Sequence, residues 1–204
     1  MNWIHEDSLR RKGYRRIAGL DEVGRGSLAG PVVAAAVILD RSSRLPGVRD
    51  SKLLTESGRN RQFGEIALGC VAYGFGVADA ETVDRINVLE ATRQAMTGAV
   101  CSLPDPPDVL LIDAVGLPGL DLPQRSLVHG DRRCLSIAAA SVLAKVFRDE
   151  MMKDFDRFYP EYRFARNKGY GTEEHRRTLL FLGPTPLHRL TFGGVPSPRS
   201  WEGT

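Results

Sequence analysis

Short apolar runs of strand length alternate along this chain with longer stretches whose apolar residues recur at helical spacing. The short runs predict strands over residues 17–21, 31–39, 70–77, 108–113 and 125–129. The helical pattern predicts helices over residues 55–68, from 79 onward, over 87–101 and over 136–158. Because strands come first in hairpin style and are later separated by helices, the pattern indicates an α/β fold, a mixed sheet with helices packed on it.

The chain changes character after Pro160, where the pattern becomes helical and basic. Aromatic and cationic residues are interleaved around and after this proline, at Tyr159, Tyr162, Arg163, Phe164, Arg166, Lys168, Tyr170, Arg176, Arg177 and Arg189. This mixture suits a groove that follows a sugar-phosphate backbone, because cations bind phosphates and rings contact sugars or bases. A solvated helix surface, whose arginine stems cover apolar area, is the other interpretation of the same pattern.

Composition narrows the class of protein. The 204 residues are 42% hydrophobic and 26% charged, which suits one globular unit with a real core. No apolar run has the length of a bilayer span and the first residues lack the order of a secretory signal, so we expect a soluble cytoplasmic protein. The cysteines at 70, 101 and 134 lack zinc-ligand spacing, and we expect each to be a small buried side chain.

The most informative motif is an apolar run at 17–20 that ends in two acids and continues into a glycine–arginine–glycine element at 24–26. The carboxylates of Asp21 and Glu22 suit hard divalent cations, whereas backbone N–H groups and a guanidinium suit phosphate, which points to chemistry on a phosphodiester. A dinucleotide site is disfavoured, because the glycines through Gly30 read G-x-G-x-x-x-G. Taken alone, the segment also fits a hairpin turn with solvated acids.

Further acids are needed, because one pair of carboxylates rarely completes a site for two cations. Asp113 ends a buried apolar run, where a carboxylate is costly unless a metal or hydrogen bonds compensate, although it could also cap the next turn. Asp131 lies between the last short strand and the longest helix, and stabilising the start of that helix is its alternative role. We favour Asp131 over Asp149, because an i,i+4 ion pair with Lys145 explains Asp149.

With these acids placed together, the chain resembles the type 2 ribonuclease H family, enzymes that cut the RNA strand of an RNA–DNA hybrid. The resemblance covers nearly the whole chain, and its ordered motifs are 19–26 (GLDEVGRG) with 28–35 (LAGPVVAA), 50–52 (DSK), 84–87 (DRIN), 136–141 (SIAAAS) through 144–145 (AK), and 167–172 (NKGYGT) with His175. It implies an RNase H-like mixed five-stranded sheet flanked by helices, with a small helical C-terminal extension. The implied divisions are a catalytic domain at 1–158, a basic substrate-binding extension at 159–192 and a flexible tail at 193–204.

The resemblance also implies a function and a set of site residues. The family's metal-binding and catalytic acids map onto Asp21, Glu22, Asp113 and Asp131, which would bind Mg²⁺ or Mn²⁺, two ions during catalysis. Its substrate-binding residues map onto Gly24, Arg25, Gly26, Lys52 and Tyr170. The implied activity is endonucleolytic hydrolysis of RNA–DNA hybrids, and cutting at single ribonucleotides in duplex DNA, by a monomer that leaves 5′-phosphate and 3′-hydroxyl ends.

The chain departs from the family's usual pattern at a few positions. Ser27, Leu53, His129 and Arg132 stand where a proline, a lysine, a lysine and a serine are common. None of these changes removes a carboxylate, so they bear on substrate contacts and on the loop at Asp131. Two alternatives stay open: a non-catalytic nucleic-acid-binding module and a junction-resolving nuclease on the same fold. We interpret His175 and His188 as ordinary helix or helix-end residues.

Overall fold

The computed structural model describes residues 3–43, 45, 48 and 54–196. Its elements are, in chain order, α1 (Ile4–Arg10), β1 (Ile17–Val23), β2 (Val32–Ile38), α2 (Glu56–Gly69), β3 (Ala72–Ala78), α3 (Ala80–Ile86), α4 (Val88–Cys101), β4 (Val109–Asp113), β5 (Gln124–Leu127), α5 (Gly130–Arg133), α6 (Leu135–Phe158), a 3₁₀ turn (Pro160–Tyr162), α7 (Phe164–Asn167) and α8 (Glu173–Leu182). Each predicted strand and helix has a counterpart whose ends lie close to the predicted ones.

The strands form one five-stranded sheet in the order β3-β2-β1-β4-β5. β1, β2 and β3 pair antiparallel, whereas β4 joins β1 in parallel and β5 joins β4 in parallel. The predicted α/β class and the mixed five-stranded sheet are therefore confirmed. Because β1 and β4 are neighbours and run parallel, their C-terminal ends lie side by side at one end of the sheet.

Helices cover both faces of the sheet. Alternate residues of β2 divide between two cores: Ala34 and Ala36 pack in the cluster that contains α4, whereas Val33 and Ala35 pack in the cluster that contains α6. Glycine brings α6 close to β1, because a Cβ atom at Gly19 would overlap the backbone of Ser136. This close approach places the first turns of α6 beside the acidic end of β1.

Side-chain caps mark where several helices begin. Thr55 precedes α2 and its hydroxyl accepts a hydrogen bond from the Gly58 N–H at 3.2 Å. Asp79 caps α3 through Thr82 N–H, and Asn87 caps α4 through two N–H groups while adopting a φ of 68°. These caps satisfy donors that a helix leaves unpaired at its start, which explains why the predicted helix starts agree with the structure.

The segment after Pro160 packs back on the body of the protein. Met152, Tyr162, Phe164 and Leu179 form an apolar cluster with Leu28 and Ala29 of the loop after β1. The N–H groups of both loop residues donate to Gly169 O, at 2.9 and 3.2 Å. The division into catalytic domain, extension and tail stays a prediction, and most of the expected tail lies outside the described residues.

Some sequence predictions about single residues were wrong. Cys134 is buried as expected, but Cys70 is half-buried and Cys101 is exposed. Arg189 belongs to no basic surface, because it is fully buried. Among the helices of the described ranges, none is long and apolar enough to cross a bilayer.

Candidate active site

Three of the predicted acids meet where β1 and β4 end side by side. The parallel register pairs Leu20 with Ile112, so the next residues along the two strands, Asp21 and Asp113, occupy neighbouring positions. Glu22 follows Asp21 at the end of β1. The ends of two neighbouring strands therefore carry the three carboxylates.

The ends of β1 and β4 line a cleft of about 250 Å³. Its lining residues are Asp21, Glu22, Val23, Arg59, Asp113, Ser141, Lys145 and Tyr170. They come from β1, α2, β4, α6 and the turn after α7. The cleft thus combines three carboxylates with two cations and an aromatic hydroxyl.

Asp21 has the most perturbed environment of these acids. It is buried, and burial together with the charge of Glu22 raises its pKa well above the usual value, with Asp113 adding to the effect. Hydrogen bonds from the Ser141 side chain and from the Glu22 N–H, the latter at 2.8 Å, oppose this rise. A nearby cation would favour the charged form, so the position is suited to a metal ligand.

Glu22 is held from one side only. Arg25 Nη1 donates to Glu22 Oε1 at 3.1 Å, whereas Glu22 Oε2 is buried and has no hydrogen-bond partner in the part of the chain that the structure describes. Burial raises the Glu22 pKa, Arg25 opposes this, and Asp113 adds to the rise. A buried carboxylate oxygen without a partner is costly, and a bound cation would satisfy it.

Asp113 is oriented by the turn that leads into α6. Its Oδ1 accepts a hydrogen bond from the Gly130 N–H at 3.0 Å, so its predicted partner Asp131 stands one residue from this contact. Asp131 is buried in the first turn of α5, but the lining of the cleft contains the other three acids and not Asp131. Asp149, the rejected candidate, makes the expected i,i+4 ion pair with Lys145 at 2.7 Å.

The glycine–arginine–glycine element is supported from below by two fully buried arginines. Arg148 donates to Pro31 O at 2.8 Å, to Ala29 O at 3.2 Å and to the Ser27 hydroxyl at 2.8 Å. Arg189 donates to Arg25 O and to Gly30 O, both at 2.8 Å. Ser27, the departure from the family pattern, is thus an internal part of this loop, and its hydroxyl also donates to Gly24 O at 2.8 Å.

A comparison with known proteins identifies the family. The family model described as "Ribonuclease HII" matches residues 18–195. The chain belongs to the ribonuclease HII family. A ribonuclease HII of Geobacter sulfurreducens is 52% identical over 193 residues, which cover 95% of this chain and 89% of the relative. Membership confirms the predicted enzyme class, a metal-dependent endoribonuclease, and supports ribonuclease activity on RNA–DNA hybrids.

Solved structures agree with the fold. The ribonuclease H2 of Pyrococcus horikoshii OT3 superposes with a TM-score of 0.77, at 24% identity, over 88% of this chain and 95% of that one. Bst-RNase HIII, solved in complex with Mn²⁺, gives a TM-score of 0.65 at 21% identity over 88% of this chain and 67% of that one. The predicted RNase H-like fold is therefore confirmed.

The cleft of this member of the ribonuclease HII family has a ligand chemistry that suits a hard divalent cation. Carboxylate oxygens are the ligands that Mg²⁺ and Mn²⁺ prefer, and Glu22 Oε2 is a buried oxygen that needs a partner. Within the described ranges, no group of three or more His, Cys, Asp or Glu side chains is arranged so that it could hold a metal ion. Water and substrate phosphates would therefore have to supply further ligands, as they do at magnesium sites that take one or two carboxylates.

The residues predicted to bind substrate differ in their surroundings and in whether the structure describes them. Tyr170 lines the cleft and is 38% exposed, and the side chain of Arg25 is 41% exposed. Lys52, with the motif at 50–52 and the departure at Leu53, lies outside the described residues. At Gly26 a Cβ atom would meet nothing within 4 Å, so this glycine faces open space.

Sequence reasoning missed three polar residues of the cleft. Ser141 and Lys145 stand four residues apart on α6 and therefore share one helix face, and Arg59 comes from α2. The family motif at 136–141 and 144–145, which contains both residues, was a signal for Ser141 and Lys145. No signal in the sequence pointed to Arg59, because its position depends on how α2 packs against α6.

Proposed function

We propose that this protein hydrolyses the RNA strand of RNA–DNA hybrids and also cuts at single ribonucleotides in duplex DNA, leaving 5′-phosphate and 3′-hydroxyl ends. One observation carries the proposal. Carboxylates from two neighbouring parallel strands, Asp21, Glu22 and Asp113, share a cleft with a tyrosine hydroxyl and lie beside a glycine loop with open space at Gly26. Carboxylates are ligands for divalent metal ions, and the glycine loop and the tyrosine hydroxyl can form hydrogen bonds with a ribose.

Asp21, Glu22 and Asp113 would hold Mg²⁺ or Mn²⁺, with Asp131 as a fourth ligand and two ions during catalysis. When bound, the cations would lower the pKa of an attacking water and stabilise charge on the leaving 3′ oxygen. The protein's own contribution is to fix the ligands: Ser141 orients Asp21, and the Gly130 N–H orients Asp113. Fixed ligands limit the reorganisation that the reaction requires.

Lys145 and Arg59 would place positive charge on the wall of the cleft. Lys145 remains paired with Asp149, which holds its ammonium in a defined position rather than leaving it in free solution. Cations so placed offset the charge of the scissile phosphate and of its neighbours, because their attraction is stronger in a partly desolvated cleft than in water.

Ribose recognition would come from the backbone at Gly24 to Gly26 and from the Tyr170 hydroxyl. The 2′-OH both donates and accepts hydrogen bonds, and it is the group that separates a ribonucleotide from a deoxyribonucleotide. A backbone can approach it closely only where no side chain intervenes. Lys52 and Arg25 would bind phosphates next to this position.

Binding without catalysis is the weaker proposal. Three carboxylates share the cleft, and Glu22 Oε2 is buried with no hydrogen-bond partner among the described residues, so a phosphate backbone is disfavoured there unless cations intervene. We further propose that the protein acts as a monomer in the cytoplasm.

One assay tests the proposed function. End-labelled duplexes that carry no ribonucleotide, one ribonucleotide or a full RNA strand are incubated with the protein in Mg²⁺, Mn²⁺ or chelator. We expect metal-dependent cutting of the last two and none of the first, and we expect Asp21→Asn to abolish cutting while hybrid binding persists. Cutting of all-DNA duplex at the same rate would exclude ribose sensing. Cutting confined to branched DNA would identify a junction-resolving nuclease.

A further inference from the structure

Two buried histidines outside the cleft contact each other directly. His175 in α8 is fully buried and His188 is 2% exposed, and their Nε2 atoms lie 3.0 Å apart. The other nitrogen of each ring is also engaged. His175 Nδ1 lies 2.9 Å from Tyr170 O, and His188 Nδ1 lies 2.9 Å from both the N–H nitrogen and the hydroxyl of Thr185.

These contacts fix where the protons are. The backbone N–H of Thr185 can only donate, so His188 Nδ1 accepts and the neutral ring carries its proton on Nε2. His188 Nε2–H then donates to His175 Nε2, which leaves the proton of His175 on Nδ1, where it donates to Tyr170 O. One chain of hydrogen bonds, all in the same direction, runs from Thr185 to Tyr170.

One end of this chain lies at Tyr170, which is assigned to ribose recognition, and the other end lies in a segment that pairs with the loop after Gly24–Gly26. At one end, the Tyr170 carbonyl accepts from His175 and also from the Thr172 N–H at 2.8 Å. At the other end, the segment around His188 pairs with the loop that follows Gly24–Gly26. Ala29 bridges to His188, the Gly30 N–H donates to Leu187 O at 2.8 Å, and the Arg189 N–H donates to Leu28 O at 2.9 Å.

The surroundings favour neutral rings. Tyr162 and Phe164 contact both histidines, with ring centroids 5.1 to 6.3 Å away, and the charged group that acts on His175 from its own helix is Arg176. Burial lowers the pKa of His175, and burial together with His175 lowers that of His188 to about 4. Any added proton would place one N–H donor against another, either between the rings or at Thr185.

We infer that His175 and His188 form a neutral, ordered pair that positions Tyr170 against the glycine–arginine–glycine loop. The inference replaces the interpretation of both as ordinary helix residues, and it rests on the proposed function in so far as Tyr170 senses a ribose. His175 and His188 are positioning residues, since neither lines the cleft. The sensing distance is then set by the pair together with the direct bonds from Leu28 and Ala29 to Gly169.

Nuclear magnetic resonance tests the arrangement without any substrate. The full-length protein, labelled with ¹⁵N at its four histidines, is studied at neutral pH, and His5 and His129 are identified by replacing each in turn. We expect His188 as the Nε2–H form and His175 as the Nδ1–H form. The opposite forms, or a charged ring in either residue, would overturn the inference.

Two substitutions at one position separate positioning from packing. His175→Asn places an amide N–H near the position of Nδ1, so the donor to Tyr170 O is kept. His175→Gln places its amide near Nε2, so the contact with His188 is kept and the donor to Tyr170 is lost. We expect the ring resonances of Tyr170 to shift in the Gln variant and to stay near those of the parent in the Asn variant. Equal shifts in both would contradict the assignment.

Kinetics then connect the pair to ribose sensing. On a duplex with one ribonucleotide, we expect His175→Gln to lower kcat by roughly 10- to 100-fold and His175→Asn to lower it only a few-fold, because small misplacements of a sensing group are costly. In a Tyr170→Ala background the difference between the two variants should vanish. A difference that persists there would show that His175 acts by another route.

The experiments distinguish the two proposals. If the parent cuts no ribonucleotide-containing duplex, the proposed function fails, while the histidine forms and the Tyr170 resonances still decide whether the pair is a positioning device. Urea unfolding of each variant supplies the remaining control. A loss of stability that is the same in both variants, with no change in Tyr170, would indicate packing alone and would overturn the inference.

Discussion

Gly24 lies against the buried guanidinium of Arg148, so closely that a Cβ atom at position 24 would overlap Arg148 Nε and stand 2.7 Å from Pro31 O. Gly24 also has a φ of 91°, which side-chain-bearing residues rarely adopt. Gly26, two residues later, has open space instead. Position 24 therefore requires glycine for its backbone conformation and packing, whereas at position 26 the protein itself leaves room for a side chain.

This difference gives a matched pair of variants. We expect Gly24→Ala to lower the free energy of unfolding by about 1–3 kcal/mol, because the strained backbone and the displaced arginine add up. Gly26→Ala should leave the unfolding free energy nearly unchanged and reduce cleavage at a ribonucleotide by roughly 10-fold or more, since its methyl group would meet the substrate. Urea unfolding and cleavage rates measure the two effects. Full activity in Gly26→Ala would show that the substrate does not approach that backbone.

Asp131 and Asp149 offer a second comparison, because both are buried acids near the cleft. Asp131 follows the Gly130 N–H that binds Asp113, whereas Asp149 neutralises Lys145. We expect Asp131→Asn to raise the Mg²⁺ concentration needed for half-maximal cleavage by about 10-fold or more, as losses around metal ligands do. Asp149→Asn should lower stability and leave the metal requirement as in the parent.

Metal titrations of cleavage rate, in parallel for the two variants, measure this prediction. A shift in metal requirement for Asp149→Asn and none for Asp131→Asn would reverse the assignment of the fourth ligand.

The sequence predicted the elements well where one interaction dominates the pattern. β2 is apolar at every position and buried throughout, and the helix that follows Thr55 is capped by the Thr55 hydroxyl, which accepts from an N–H group three residues later. Asp113 could be predicted in the same way, because an acid that ends a buried strand has few structural reasons to be there.

What the sequence did not show depends on contacts between distant residues. Arg148 and Pro31 are 117 positions apart, and Arg189 and Gly30 are 159 apart, so no local pattern reveals that these arginines are buried supports of a loop. The same holds for His175 and His188, whose contact requires α8 and the segment after it to fold together. Asp131 illustrates a further limit. It lies in the short helix α5, and the sequence pattern does not give the position of this helix relative to the ends of the strands.

Removing the charge of Asp21 should stabilise the protein when no metal is bound. Burial and the charge of Glu22 raise the pKa of Asp21, so its ionised form opposes folding at neutral pH. We expect Asp21→Asn to raise the free energy of unfolding in chelator by about 1 kcal/mol, within the range of relieved strain at active sites. Urea unfolding at pH 7 measures it, with the exposed acid variant Asp105→Asn as control. Equal stability of parent and Asp21→Asn would contradict the prediction.

The histidine pair should make stability depend on pH in the acidic range. The pKa of His188 is about 4 in the folded protein, whereas a histidine in water has a pKa of 6.5. Between pH 6.5 and 4 the unfolded chain therefore binds a proton that His188 of the folded protein does not bind. Stability is therefore fully present above pH 6.5 and falls as the pH approaches 4, by roughly 3 kcal/mol for this residue at 1.36 kcal/mol per pKa unit. The lowered pKa of His175 acts in the same direction.

His188→Gln isolates this contribution from the carboxylates and from His5, whose own lowered pKa adds a similar slope. The variant keeps an amide donor near the position of Nε2 and has, at position 188, no group that titrates between pH 4 and 6.5. Urea unfolding of parent and variant at a series of pH values should give curves that converge as the pH falls, because only the parent loses the His188 contribution. Parallel curves over the whole range would mean that His188 is protonated as readily in the folded protein as in the unfolded chain.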